Sequence, residues 1–334
     1  MNAPCLMQRQ TTRDVGREAG FTLIELLVSM VVGLLLILVA ASLYLSTART
    51  SRFNALQAQM NEDGALAIQL LSEQISLAGY SPMVGAARAV DLVPVRGCEG
   101  GFTAATDSGL FENLACSAGA AAAPDAIAIR YVASAQNSPM VGNAAGVLQP
   151  ANCAMQGITP TVLAPGNARP IADNRFYVAA DPVNSNTPTL YCRGSNGPGT
   201  FSGTVALIPN IEDLQIRYAV TRAPLAGRPP RHQVTAHVDA SHAALGATTD
   251  NWHRVAAVHV CVLARTAQPI PGGDVSTADV GRYVDCSNAV RQANDGRLRR
   301  ALHATVYLLN TRPAVPAPYR ALGGVVIDPY DFVN

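Results

Sequence analysis

The chain has 334 residues, of which 49% are hydrophobic and 14% are charged, and its formal net charge is +1. A chain of this length can build one membrane segment plus one or two modest globular domains, and it is too long to be a membrane anchor alone. The near-neutral charge gives no sign of a broad basic face for nucleic acid, so electrostatics indicate no partner.

The first strong feature is an apolar stretch at residues 21–45, FTLIELLVSMVVGLLLILVAASLYL, whose single charge is Glu25. At about 1.5 Å per residue, the ~20 residues after this glutamate span roughly 30 Å, the thickness of a bilayer's hydrocarbon core. We therefore predict a transmembrane helix, and the slight excess of arginines before it favours a cytoplasmic N-terminus. The stretch is too long for a secretory signal and no good small-residue cleavage site follows it, so the alternative is an uncleaved signal anchor.

The helical period continues beyond this apolar stretch. Such a period is typical of a helix packed on a globular core, and Gly79 followed by Pro82 is a stop signal. The prediction is one helix over residues 21–79, with residues 21–45 in the membrane. The recurring positions, at steps of three and four, are Phe53, Leu56, Met60, Gly64, Ala67, Leu71, Ile75 and Ala78.

Residues 80–334 are rich in glycine, proline and alanine and contain short alternating runs, which favour strands joined by loops. The stretches 194–203 and 222–230 are predicted loops. The fold class is therefore α+β: a long N-terminal helix packed on a mostly antiparallel β-sheet head. The strongest strand signals lie at 127–131, 214–220, 258–262 and 304–309.

Seven cysteines are present; Cys5 precedes the apolar segment and the other six follow it. An even number beyond a membrane segment indicates an oxidising compartment such as a bacterial periplasm. Six cysteines allow fifteen pairings, and the sequence does not choose among them. The expectation adopted here, that neighbours in sequence pair, joins Cys98 with Cys116, Cys153 with Cys192, and Cys261 with Cys286.

Chemistry-bearing motifs are scarce. His232, His237 and His242 are spaced by five, with Asp239 between the last two. This spacing does not place ligands on one face and is not a zinc spacing, so we interpret the three as polar loop histidines and predict no metal. The sequence also lacks a nucleophile elbow, a phosphate-binding loop, an HExxH motif and a dinucleotide fingerprint. We therefore predict neither enzyme activity nor a cofactor.

The junction GREAG-FTLIE, with Gly20 before Phe21 and Glu25 fifth in the new chain, resembles the class III leader of type IV prepilins. The resemblance implies that residues 1–20 are a leader, that a membrane-embedded prepilin peptidase cuts between Gly20 and Phe21, and that the new amine of Phe21 is methylated. A carboxylate inside an apolar helix is costly without a partner, and the ammonium of Phe21 is a suitable one. Glu25 is therefore the predicted assembly carboxylate.

Three downstream segments resemble the PilW group of minor pilins, sometimes grouped with PulJ-type pseudopilins. They are NEDGALAIQLLSEQISLAGY (61–80), IPNIEDLQIRYAV (208–220) and WHRVAAVHVCVLART (252–266). The resemblance implies a non-catalytic structural subunit that helps initiate or cap a type IV pilus, or fimbrium. It also implies a single-pass inner-membrane protein with a periplasmic head over residues 80–334, which later enters the filament.

The partners implied by this resemblance are the prepilin peptidase, the assembly platform, the major pilin, other minor pilins and a tip adhesin, with no nucleic acid. Two alternatives remain open. A minor pseudopilin of a type II secretion system would carry the same leader and helix, although such proteins are typically shorter. A signal-anchored periplasmic enzyme or binding protein would require that the chain is not cut at Gly20, and no site residues support it.

Overall fold

The structure is a computed structural model that describes residues 20–84, 87–103, 110–117, 123–164, 167–201, 203–222, 233–246, 249–270, 281–311, 319–320 and 326–327. The chain divides into two compact units, one ending at Ser51 and the other beginning at Arg52. The helix α1 (Leu23–Ser76) contributes residues to both.

The strands are short except for those that build the two main sheets. In the first half of the chain they are β1 (Met83–Val84), β2 (Ala87–Arg88), β3 (Val95–Cys98), β4 (Ala126–Val132), β5 (Met140–Gly142), β6 (Leu148–Pro150), β7 (Thr161–Ala164) and β8 (Asn167–Arg169). Next come β9 (Ile171–Asp181), β10 (Thr187–Gly197), β11 (Thr200–Phe201), β12 (Val205–Pro209), β13 (Ile211–Thr221) and β14 (Val234–Val238). The last are β15 (Val255–Arg265), β16 (Arg282–Val284), β17 (Val290–Gln292), β18 (Arg299–Tyr307), β19 (Tyr319–Arg320) and β20 (Val326–Ile327). Within the described ranges, short 3-10 helices lie at Phe111–Asn113, Thr249–Arg254 and Leu309–Thr311.

The second part of α1 buries the predicted apolar stripe. Phe53 is half-buried, and the positions from Leu56 to Ala78 in the stripe are all buried. The helix ends three residues before Gly79, whose φ of +72° lies in the left-handed region that suits glycine. The amide of Gly79 donates to the carbonyl of Arg130, which fixes the turn onto β4.

Among the described residues, the head has two large antiparallel sheets, and the remaining short strands pair two by two. Sheet 1 has the strand order β11-β10-β9-β4-β3, with β12 also paired to β10, and sheet 2 has the order β14-β13-β15-β18. Representative registers are Ile127 opposite Phe176 in sheet 1 and Tyr218 opposite Val258 in sheet 2. Helix and sheets share one apolar core, so the predicted α+β class, with a long helix against antiparallel sheets, is confirmed.

A glycine in the stripe brings α1 close to sheet 2. A Cβ placed on Gly64 would lie 2.6 Å from Cδ1 of Leu302 and 3.1 Å from Cβ of Ala264. Both distances are shorter than ordinary van der Waals contact, so a larger residue would require the Leu302 side chain to move and α1 and β15 to separate slightly. Gly64, the least hydrophobic residue of the stripe, is therefore the position at which α1 packs closely on sheet 2.

Sheet 1 extends further than the sequence predicts. The predicted loop 194–203 is wrong in part, because β10 continues to Gly197 and β11 returns at Thr200–Phe201. A Cβ on Gly194 would lie 2.3 Å from Cγ of Asn152, so this glycine permits a close approach within a strand and does not mark a turn. Of the other predicted loop, 222–230, only residue 222 lies among the described residues.

A buried carboxylate joins the two sheets. Asp125 accepts hydrogen bonds from the amide of Ile216 (2.8 Å) and the amide of Gly100 (3.2 Å), and its own amide donates to the carbonyl of Leu214 (2.7 Å). Its side chain and backbone therefore link the start of β4 to the middle of β13. Burial is the main reason that the pKa of Asp125 rises from 3.8 to about 7.

Three disulfides fasten loops to strands. They are Cys98–Cys116, Cys153–Cys192 and Cys261–Cys286, the same three pairs that neighbouring cysteines would form. The closed loops span 18, 39 and 25 residues. In the chain-entropy model, loops of this size stabilise a fold by about 3–4 kcal/mol each, which is a large contribution to a head with many irregular segments.

Candidate functional site

The start of α1 is a capped helix terminus built from Thr22 and Glu25. Thr22 directly precedes the first helical residue, and its hydroxyl oxygen accepts a hydrogen bond from the amide of Glu25 (3.3 Å). In return, Oε2 of Glu25 accepts hydrogen bonds from the Thr22 amide (2.9 Å) and the Thr22 hydroxyl (3.0 Å). This reciprocal arrangement is a capping box, and it holds the carboxylate beside the positive end of the helix dipole.

The surroundings of this terminus are apolar. Glu25 is the only charged residue between 21 and 45, and every side chain in that range is exposed apart from the half-exposed Gly33. Residues 23–45 span about 34 Å of helix at 1.5 Å per residue. Among the described residues, α1 is the single helix that is long and apolar enough to cross a membrane. The site therefore combines a fixed carboxylate with a long apolar surface.

The predicted site residues lie together here. Gly20 and Phe21 immediately precede the cap, Phe21 is 89% exposed, and Glu25 lies in the first turn. The rest of the predicted leader, residues 1–19, lies outside the described residues. Sequence reasoning missed Thr22, although the T-x-x-E spacing of a capping box was present as a signal.

The described structure would accommodate a side chain at position 20. A Cβ placed on Gly20 would meet no described atom within 4 Å, and its backbone is not in the left-handed region. Glycines kept for the fold usually relieve a close contact or a positive φ. Gly20 does neither within the part of the chain that the structure describes.

The three histidines that were predicted to lie in loops are only partly found there. His237 lies in β14 and not in a loop, because its segment pairs with β13, and His242 lies in the turn that follows. His232 lies outside the described residues. Within the described ranges, no group of three or more His, Cys, Asp or Glu side chains is arranged to hold a metal ion.

Two family models match this chain, one at the start of α1 and one in the head. A family model for the prokaryotic N-terminal methylation motif matches residues 16–41, which contain the capped terminus. A second family model, described as type IV pilus-assembly protein W, matches residues 175–310, from β9 to the end of β18 and just beyond. No curated protein matches the chain.

One similar solved structure is a type IV-like pilin from Thermus thermophilus. It shares 14% sequence identity, with 75% of this chain and 98% of that chain covered, at a TM-score of 0.35. A methylation motif at the start of an apolar helix that continues into an α+β head defines a type IV prepilin-like protein. Over residues 175–310 the chain is similar to the PilW family of type IV pilus-assembly proteins.

Proposed function

We propose that this chain is a minor pilin precursor that acts in the initiation or tip complex of a type IV pilus, as a non-catalytic structural subunit. The observation that carries the proposal is the methylation motif over residues 16–41, centred on a capped carboxylate at the start of an apolar helix. In this proposal residues 21–45 cross the inner membrane once and residues 80–334 form a periplasmic head. The partners are the prepilin peptidase, the assembly platform, the major pilin, other minor pilins and a tip adhesin.

The first step in the proposal is cleavage between Gly20 and Phe21, followed by methylation of the Phe21 amine. Gly20 meets no described neighbour, so a peptidase that requires a residue without a side chain explains this glycine better than the fold does. Replacing it by aspartate should block processing while leaving the helix intact.

The second step is filament assembly, in which the negative charge of Glu25 has a role. After cleavage, a new ammonium lies one residue before Thr22, close to the carboxylate that the cap already holds. Thr22 supplies hydrogen bonds but no positive charge. In a medium without water an unpaired ammonium costs several kcal/mol, so the carboxylate of the same chain or of a neighbouring one should pair with it during assembly.

Three substitutions separate the charge of Glu25 from its capping role. Glu25→Gln keeps a residue that can cap a helix but removes the charge, Glu25→Val removes both, and Thr22→Val weakens the cap while keeping the carboxylate. Loss of a cap costs about 0.5–2 kcal/mol, which a long anchored helix tolerates. We expect both Glu25 variants to be inserted and cleaved but absent from sheared filaments, and Thr22→Val to assemble.

The assay measures processing by terminal mass spectrometry and assembly by the content of sheared filaments, with Gly20→Asp as the uncleaved control. Retention of Met1, or a mature start beyond Leu45, would contradict the proposed processing. If Glu25→Gln enters filaments like the wild type, the carboxylate serves only as a helix cap, and the charge pairing is wrong.

A further inference from the structure

Two histidines on different strands meet on the face of sheet 2 opposite α1. His259 on β15 places Nε2 2.9 Å from Nδ1 of His237 on β14, and the ring centroids are 4.8 Å apart. These strands are not neighbours, because β13 lies between them. Ala219 on β13 is paired with both His237 and Ala257, and its single methyl group leaves space for the two rings to meet above it.

A third strand orients one of the rings. Nδ1 of His259 lies 2.6 Å from the hydroxyl oxygen of Thr305 on β18, so that side of the ring is occupied and Nε2 is directed at His237. Imidazoles that ligate metals usually carry such a hydrogen bond on the second nitrogen, which fixes the tautomer and the ring plane. One proton lies between the two facing nitrogens; when the ring that carries it changes to its other tautomer, with its N–H on the opposite nitrogen, both facing nitrogens present lone pairs to one point.

The electrostatic surroundings favour the neutral imidazole. Burial, followed by the neighbouring His237 and Arg217, lowers the pKa of His259. Arg217 on β13 is itself paired with Asp239, which follows β14, at 3.0 Å. Neutral imidazole is the form that binds metal ions.

Open space for additional ligands adjoins His259. A cavity of about 450 Å³ is lined by His259, Thr305, Asp239 and Glu99, among other polar residues. Since no third His, Cys, Asp or Glu completes a ligand set in the described parts of the chain, water from this cavity would fill the remaining positions. Two imidazoles plus water form an open, exchangeable site.

We propose that His237 and His259 bind a divalent transition-metal ion of the copper and zinc class. A tetrahedral ion with bonds of about 2.0–2.1 Å needs its two nitrogens ~3.3 Å apart, a few tenths of an ångström more than they are in the structure. Imidazole ligands select copper, nickel and zinc over calcium and magnesium, and copper binds most tightly. The ion would connect the edge strand β14 to β15 across β13.

The test is a titration of the full chain in detergent with Cu²⁺, followed by electron paramagnetic resonance, and with Zn²⁺, followed by calorimetry. We expect one ion per chain with a two-nitrogen signature for Cu²⁺. Losing an outer-shell partner already costs about 10–100-fold in metal affinity, so His237→Ala and His259→Gln should each cost at least as much. His242→Ala is the matched control, because the ring of His242 accepts a hydrogen bond from the Ala244 amide in its own turn.

A second measurement distinguishes loss of metal binding from misfolding of a variant. Circular dichroism should show the same fold in all variants, and Zn²⁺ should raise the unfolding midpoint of the wild type and of His242→Ala but not of the other two. If the wild type binds neither ion at micromolar concentration, or if His237→Ala and His259→Gln bind both ions as tightly as the wild type, the pair is only a hydrogen bond and the proposal is overturned.

Discussion

Replacing Asp125 by asparagine should reduce the pH dependence of the head's stability between about pH 4 and pH 7. Asp125 is 6% exposed, and its pKa is raised from 3.8 to about 7, mainly by burial and further by the nearby Asp213 and Glu99. The folded protein therefore keeps a proton in this range that the unfolded chain releases. The resulting stabilisation is complete below about pH 4 and is lost as the pH rises through about 7.

The magnitude follows from the two pKa values. A difference of about 3 corresponds to ~4 kcal/mol at about 1.4 kcal/mol per pKa unit, which is an upper limit because the chain can relax around the charge. Asparagine does not titrate, but its side chain can accept from only one of the two amides, those of Gly100 and Ile216. The amide left without an acceptor costs about 1–3 kcal/mol.

The assay is urea unfolding of the full chain in detergent at pH 4, 6 and 8, followed by near-ultraviolet circular dichroism. Asp125→Asn should be less stable than the wild type at pH 4, and the difference should shrink or reverse by pH 8. Asp91→Asn, a change at an exposed position, is the control and should follow the wild type throughout. A constant difference between Asp125→Asn and the wild type from pH 4 to pH 8 would refute the assignment of this titration to Asp125.

Two further predictions concern packing and covalent links. Gly97→Ala should destabilise the head by about 1–3 kcal/mol, because the new Cβ would lie 1.9 Å from the phenolic oxygen of the buried Tyr218. Gly142→Ala, where a Cβ meets nothing within 4 Å, should be near neutral in the same urea assay; equal effects of the two changes would argue against this packing. Non-reducing peptide mapping of the exported protein should recover the three disulfides and no free thiol, whereas free thiols would count against exposure to an oxidising compartment.

Where a local period is strong, the sequence was sufficient to predict the fold. The stripe from Leu56 to Ala78 follows a helical period because one face of α1 is buried, and short apolar runs marked the strands β4, β13 and β15, of which β4 and β15 are buried on both faces along most of their length. The last predicted strand, 304–309, is β18, but β18 begins at Arg299 and ends at Tyr307. β9 escaped prediction because three polar residues interrupt its first half. Asp173 and Arg175 are buried as an ion pair, and Asn174 donates to Gln74 of α1, so tertiary partners replace the hydrophobic signal.

Of the two candidate sites, one could be predicted from the sequence and the other could not. Gly20, Phe21 and Glu25 form a linear motif, so a reading along the chain is enough to find them. The contact between His237 and His259 depends on the register of three strands, which spacing along the chain cannot supply. Spacing along the chain relates His237 only to His232 and His242, whereas in the structure its ring contacts His259 on another strand.

The attachment of α1 to the head has a mechanical consequence. From Arg52 onward the helix is held by its buried stripe and by polar contacts to Arg300, Asn310 and Asn174, and none of the disulfides includes a residue of α1. A pull along the helix axis loads all of these contacts at once, in shear, and does not peel them apart one after another. Because no disulfide crosses this joint, its resistance to such a pull depends on the rate at which the contacts between α1 and the rest of the head break. Tensile strength at this joint therefore comes from non-covalent contacts, the buried stripe and these hydrogen bonds, because no disulfide links α1 to the rest of the head.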